Sequence, residues 1–234
     1  MGILTKLRPG TDAEAASTSP PGNGAMSAEN VRVSNGLKEF LRHLGSPEGG
    51  QMLDLGPVSQ ATVDFFTGRR YKLHTNDLLH GWHDFLAAEL ATLMASTAAA
   101  PGSSSSATRS DPAERATRFV AAFLDYPAAT FHGVLVWDLI DYLPPEVVHA
   151  FIARVHEIVR PGGAVLAIFH NRPPERFHRY RVVSAEGVMY LPATSPVPFG
   201  RVLPNREILN LSSSFRSSKT FVGRDQIREA LFTR

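Results

Sequence analysis

Apolar side chains recur along this chain in two alternating rhythms: short unbroken runs, and longer stretches spaced at three and four residues. The runs are Gln51 to Leu55, Tyr71 to His74, Phe131 to Trp137 and Ala164 to Phe169. Runs this short, bounded by turn residues, predict buried strands. Between them, helical spacing appears in Ala61 to Phe66 and in the segment holding Trp82, Phe85, Leu86, Leu90 and Leu93. It appears again in Val147, Val148, Phe151, Ile152, Val155 and Ile158, with Pro144-Pro145 suited to a helix start. Upstream, Leu37, Phe40, Leu41 and Leu44 predict a further helix that Gly45 and Pro47 stop. Arg118 to Leu124 reads equally as a strand or a helix end. Strands alternating with amphipathic helices predict an α/β protein, a doubly wound and mostly parallel sheet with helices on both faces.

The C-terminal part changes character. Tyr180 to Ala185 and Val188 to Leu191 flank Glu186-Gly187, which predicts a hairpin. Asn205 is placed to cap a helix through Leu211. Lys219 to Val222 and Ile227 to Thr233 predict a final antiparallel strand pair around Gly223-Arg224-Asp225. Two stretches, 10–28 and 95–113, are rich in Gly, Pro, Ser, Thr and Ala and poor in large apolar side chains. Such segments bury too little to offset their ordering entropy. The expected organisation is a disordered tail over 1–28 and one domain over 29–234, with a flexible insertion at about 95–113.

Composition narrows the chemistry. The 234 residues are 43% hydrophobic and 20% charged, with a net charge of +2 and no cysteine. Thiol nucleophiles, disulfides and cysteine-ligated metals are thereby excluded. No apolar run approaches the ~18 residues needed to cross a bilayer, so a cytoplasmic protein without a membrane partner is expected. From Arg172 onward there are 11 Lys or Arg against 5 Asp or Glu, a field that suits an anionic substrate or simply a solvated surface. The histidines form no H-x-x-x-H pair with a partnering carboxylate, so no metal is expected. A nucleic-acid-binding motif, a Walker loop and a G-x-S-x-G elbow are all missing.

Four short constellations remain. Leu53-Asp54-Leu55-Gly56-Pro57-Val58-Ser59-Gln60 is a strand, a turn and a helix start. Asp77 follows the second strand, where a carboxylate reaches ribose hydroxyls or caps a helix. Asp138 and Asp141 follow the strand Phe131 to Trp137. Arg160-Pro161-Gly162-Gly163 forms a helix-to-strand turn. Taken in order these resemble the class I, Rossmann-like S-adenosylmethionine-dependent methyltransferases, over roughly Val31 to Phe169. Asp54 and Gly56 match the start of that family's D-x-G-x-G-x-G strand end, whereas Val58 and Gln60 stand where its later glycines fall.

The resemblance implies S-adenosylmethionine as cofactor, with Asp54, Gly56, Pro57, Asp77, Asp125 and Asp138 around it, Asp125 near the adenine ring. It implies methyl transfer to a small-molecule or protein acceptor, with Tyr142 and His170 as candidate bases. The replaced glycines open an alternative, a catalytically silent domain of the same fold acting as a binding or scaffold module. A nicotinamide-dependent enzyme is disfavoured, since G-x-G-x-x-G does not follow the first strand.

Overall fold

The computed structural model describes residues 30–45, 49–99, 111–223 and 226–234. The expected tail over 1–28 and most of the expected insertion lie outside these residues. A short strand, β1 (Val31–Val33), leads into helix α1 (Asn35–Leu44), whose first turn is closed by Ser34 Oγ accepting from Leu37 N. Leu37 and Phe40 are fully buried on its inner face.

The alternation then unfolds as the apolar rhythm predicts: β2 (Gln51–Asp54), α2 (Gln60–Thr67), β3 (Lys72–Thr75) and α3 (Leu78–Ala99). Next come α4 (Pro112–Phe123), β4 (Phe131–Trp137), α5 (Pro145–Ile158) and β5 (Val159–His170). Helix α3 runs on through Ala99, into the stretch expected to be loop from residue 95. Alanine is the strongest helix former, so an Ala-rich segment propagates a helix already nucleated by packed turns. The ambiguous Arg118 to Leu124 belongs to α4, which buries Ala116, Phe119 and Val120. Arg160-Pro161-Gly162-Gly163, expected as a turn, is taken up within β5 as an irregularity between the pairs Phe131–Val159 and Gly133–Ala164. Gly162 sits there at φ 78°, a backbone setting that favours glycine.

The main sheet has the order β3-β2-β4-β5-β9-β8, with β8 (Ser217–Val222) and β9 (Ile227–Thr233) forming the expected C-terminal pair. Strands β3, β2, β4 and β5 are mutually parallel, whereas β9 is antiparallel to both β5 and β8. This is the doubly wound, mostly parallel α/β architecture expected from the sequence. The predicted hairpin forms as β6 (Phe177–Val182) and β7 (Gly187–Ala193), but joins β1 in a separate three-stranded antiparallel sheet. Helix α6 (Asn205–Leu211) is preceded by Pro204 at the cap position. Asn205, expected as the cap, spends its side-chain carbonyl on Arg228 instead.

The small sheet is not peripheral. Val182 N, at the end of β6, donates to Thr62 Oγ1 in the first turn of α2 at 3.0 Å, so the sheet lies against the helix that follows Gly56.

Candidate active site

Strand β2 is flanked by β3 on one side and β4 on the other. The chain leaves β2 in one direction and returns to its opposite edge, and such a reversal opens a crevice beyond the carboxyl ends of the strands. Three turns meet there. Asn76 N donates to Asp54 O at 2.9 Å and Leu78 N to Leu55 O at 3.0 Å, which pins Asp77 beside Gly56. Across the reversal, Trp137 Nε1 donates to Asp54 Oδ1 at 2.7 Å. Gly56, Asp77 and Trp137 therefore share one rim.

Asp54 is fully buried and accepts from both Trp137 Nε1 and Gly56 N, the latter at 3.0 Å. Burial pushes its carboxyl up to about 7 against the pull of these two donors. The Trp137 indole crowds Gly56: a Cβ added there would come within 2.8 Å of Trp137 Cδ1 and 3.0 Å of Nε1. The indole stacks on Tyr180 of β6, centroids 5.6 Å apart and planes 7° from parallel. Trp137 itself sits at φ 55°, unusual for a bulky residue, where β4 shifts register against β5.

The two side chains that stand where the family's later glycines fall do not enter the crevice. Val58 is 72% exposed, and Gln60 turns out to bond Asp64 on its own helix at 2.7 Å. Pro57 is half-buried between them and Gly56. The crevice is crowded instead by Trp137, with Tyr180 stacked on it, residues that lie outside the glycine motif. Ser59, at the cap of α2, is buried with an Oγ that has no partner among the described residues.

Asp77 has its carboxylate on the helix: Oδ1 accepts from His80 N at 3.2 Å and Oδ2 meets His80 Nδ1 at 2.8 Å. It thus caps α3 while standing at the rim. Asp125 lies two residues past Phe123, whose carbonyl accepts from Asn76 Nδ2 at 2.9 Å, next to Asp77. It is exposed in the connection leading into the start of β4, where Arg154 holds the carbonyls of Leu124 and Tyr126.

A second group gathers one strand further along. His170, the last residue of β5, is buried, and both its main-chain N and its Nδ1 meet Asp141 Oδ2, at 2.7 and 2.9 Å. Its Nε2 lies 3.5 Å from Asp138 Oδ2, which also accepts from Tyr180 Oη at 3.3 Å. Burial pushes Asp138 up to about 7 and raises Asp141 as well. Each of these carboxylates keeps one buried oxygen, Oδ1, without a hydrogen-bond partner among the described residues. Parallel neighbours end side by side, which is why a residue at the end of β5 meets residues just past β4; that adjacency is the signal that could have paired His170 with Asp141. Tyr142 packs edge-on against Phe177 and Phe199, and burial holds its hydroxyl well above the ordinary value. It stays protonated across neutral pH.

Among the described residues no group of three or more His, Cys, Asp or Glu side chains is placed to hold a metal ion, and no helix is long and apolar enough to cross a membrane.

No family model matches the sequence, and no curated protein matches it. Solved structures with a similar arrangement include the 1,6-didemethyltoxoflavin-N1-methyltransferase of Burkholderia thailandensis with bound 1,6-didemethyltoxoflavin and S-adenosylhomocysteine, at 15% identity over 85% of this chain and 77% of that one, TM-score 0.43. Another is the glycopeptide N-methyltransferase MtfA complexed with S-adenosyl-L-methionine, at 16% identity over 84% and 92%, TM-score 0.42. A third is a putative type 11 methyltransferase from Sulfolobus solfataricus, at 15% identity over 84% and 90%, TM-score 0.42. Likenesses of this grade lend no weight to a function, which has to come from the chain's own geometry.

Proposed function

We propose that the chain is a methyltransferase using S-adenosylmethionine, with an acceptor bound at the His170 side of the crevice. The observation that carries this reading is the meeting of the Gly56, Asp77 and Trp137 turns at the point where the strand order reverses. The residues fit the cofactor's nucleoside end. Ser59 Oγ is a buried polar group awaiting a partner beside the crevice, and the Asp77 carboxylate is only partly shielded, 25% exposed. Both suit ribose hydroxyls. When bound, the cofactor supplies an electrophilic methyl group. The protein's share is orientation and proton handling. Asp141 fixes the His170 ring, so that residue is the one placed to take a proton from an O- or N-nucleophile.

A second reading has a specific observation in its favour. The indole on Gly56 occupies the surface that a close-approaching ligand needs, so the domain is alternatively a silent module whose crevice is sealed by Trp137 and Tyr180. Calorimetric titration of the full chain with S-adenosylhomocysteine separates the two. Saturable binding is expected, and Asp77→Asn, which keeps the helix cap, should weaken it about tenfold or more, the loss typical of a charged hydrogen bond. No heat at millimolar ligand from a folded sample, together with binding by Trp137→Ala, would establish the sealed module instead.

A further inference from the structure

Between the small sheet and the end of β5 lies a cavity of about 350 Å³, within the range of small-molecule sites. It is not the crevice at Gly56. His170 and Tyr180 form part of its wall, Tyr190 and His178 stand edge to face at 5.4 Å on the small-sheet side, and Arg172 and Arg176 come from the loop that joins β5 to β6. The charge on this wall is uneven. Glu175 lines it too, but among the described residues neither the Arg172 nor the Arg176 guanidinium has a hydrogen-bond or ion-pair partner.

Two unpartnered guanidiniums at the mouth of a cavity walled by aromatic rings are matched to a planar ligand with an anionic group. Arginine's fork pairs with carboxylate or phosphate in two parallel hydrogen bonds, and rings stack or meet edge-on with other rings at little entropic cost. The same cavity is walled by the only histidine among the described residues that contacts two buried carboxylates. A ligand anchored at Arg172 and Arg176 extends inward toward that imidazole. We infer that this cavity binds a small aromatic anion, held by Arg172 and Arg176 with its ring between Tyr190 and the His170–Tyr180 wall. That such a ligand is the methyl acceptor rests on the methyltransferase reading; that the cavity binds it does not.

The two can fail separately because binding is measured without cofactor. Titrations of the full chain would use 4-hydroxybenzoate and phenyl phosphate as anionic probes, with 4-hydroxybenzamide as the neutral counterpart of the first. Saturable binding of at least one anion is expected, weakened about tenfold by Arg172→Ala and further by Arg172→Ala with Arg176→Ala, the amide binding no better than the double variant binds the anion. The stronger of the two anions tells carboxylate from phosphate recognition. Equal binding of acid and amide, affinity unchanged in the double variant, or no binding by either anion would each overturn the inference. Both arginines are exposed, so their loss leaves the fold intact, which circular dichroism verifies. A positive result here with no S-adenosylhomocysteine binding would leave the anion site standing and remove the methyltransferase reading.

Discussion

The two halves of the rim are built on opposite plans. At the β2 end, Asp54, Gly56, Trp137 and Tyr180 satisfy one another: an indole N–H answers a buried carboxylate, and its ring fills the room above a glycine. At the β5 end, His170 and its carboxylates are fixed from below, while the arginines above them face an open cavity. The first half spends its polar groups on itself; the second leaves cationic groups uncommitted. The lesson is that a family-like sequence motif does not by itself say where a ligand enters. The packing around it does.

The contrast can be broken most forcefully at Trp137. Trp137→Ala removes a buried ring and a donor to Asp54, and should destabilise the protein by about 3–5 kcal/mol, measured by urea denaturation. A loss below about 1 kcal/mol would mean that the indole does not fill the space the structure gives it.

A smaller effect is expected from pH. Asp54 and Asp138 both hold protons up to about 7, against an ordinary value of 3.8. The folded state thus binds more protons than the unfolded one between these values, so stability should fall as pH rises from about 4 to about 7 and level off above. Thermal melts over that window should show the decline, and Asp54→Asn, which cannot ionise, should lessen it and leave the part due to Asp138. A melting temperature that rises steadily from pH 4 to 7 would contradict the buried, protonated state of both groups.

The smallest effect sharpens the other half. Arg172→Ala should change stability by no more than about 0.5 kcal/mol, as for other exposed residues without partners. A larger loss in the urea transition would show that this arginine is part of the scaffold rather than of a ligand site.

Much of this was legible in the residues. Gly133 to Trp137 and the core strand around Leu166 are without a charged or polar side chain because both faces of a central parallel strand are covered. Asp54, Gly56, Asp77 and Asp138 lie where strand ends put them, and local spacing is enough to place a residue at a strand end. How the chain before Asp125 reaches the rim is not visible in spacing: Asn76 Nδ2, just past the end of β3, donates to Phe123 O, 47 residues further on.

What the sequence determined by itself was the order and kind of the elements, since apolar periodicity and turn chemistry act over a few residues. What only the tertiary structure decided was which side chains occupy the crevice. Trp137 is 83 residues from Asp54 and 43 from Tyr180, yet the three are in contact. Val58 and Gln60, neighbours of Gly56 in the chain, point away from it. Occupancy of a space is settled by everything that converges there, and such convergence has no signature in local pattern.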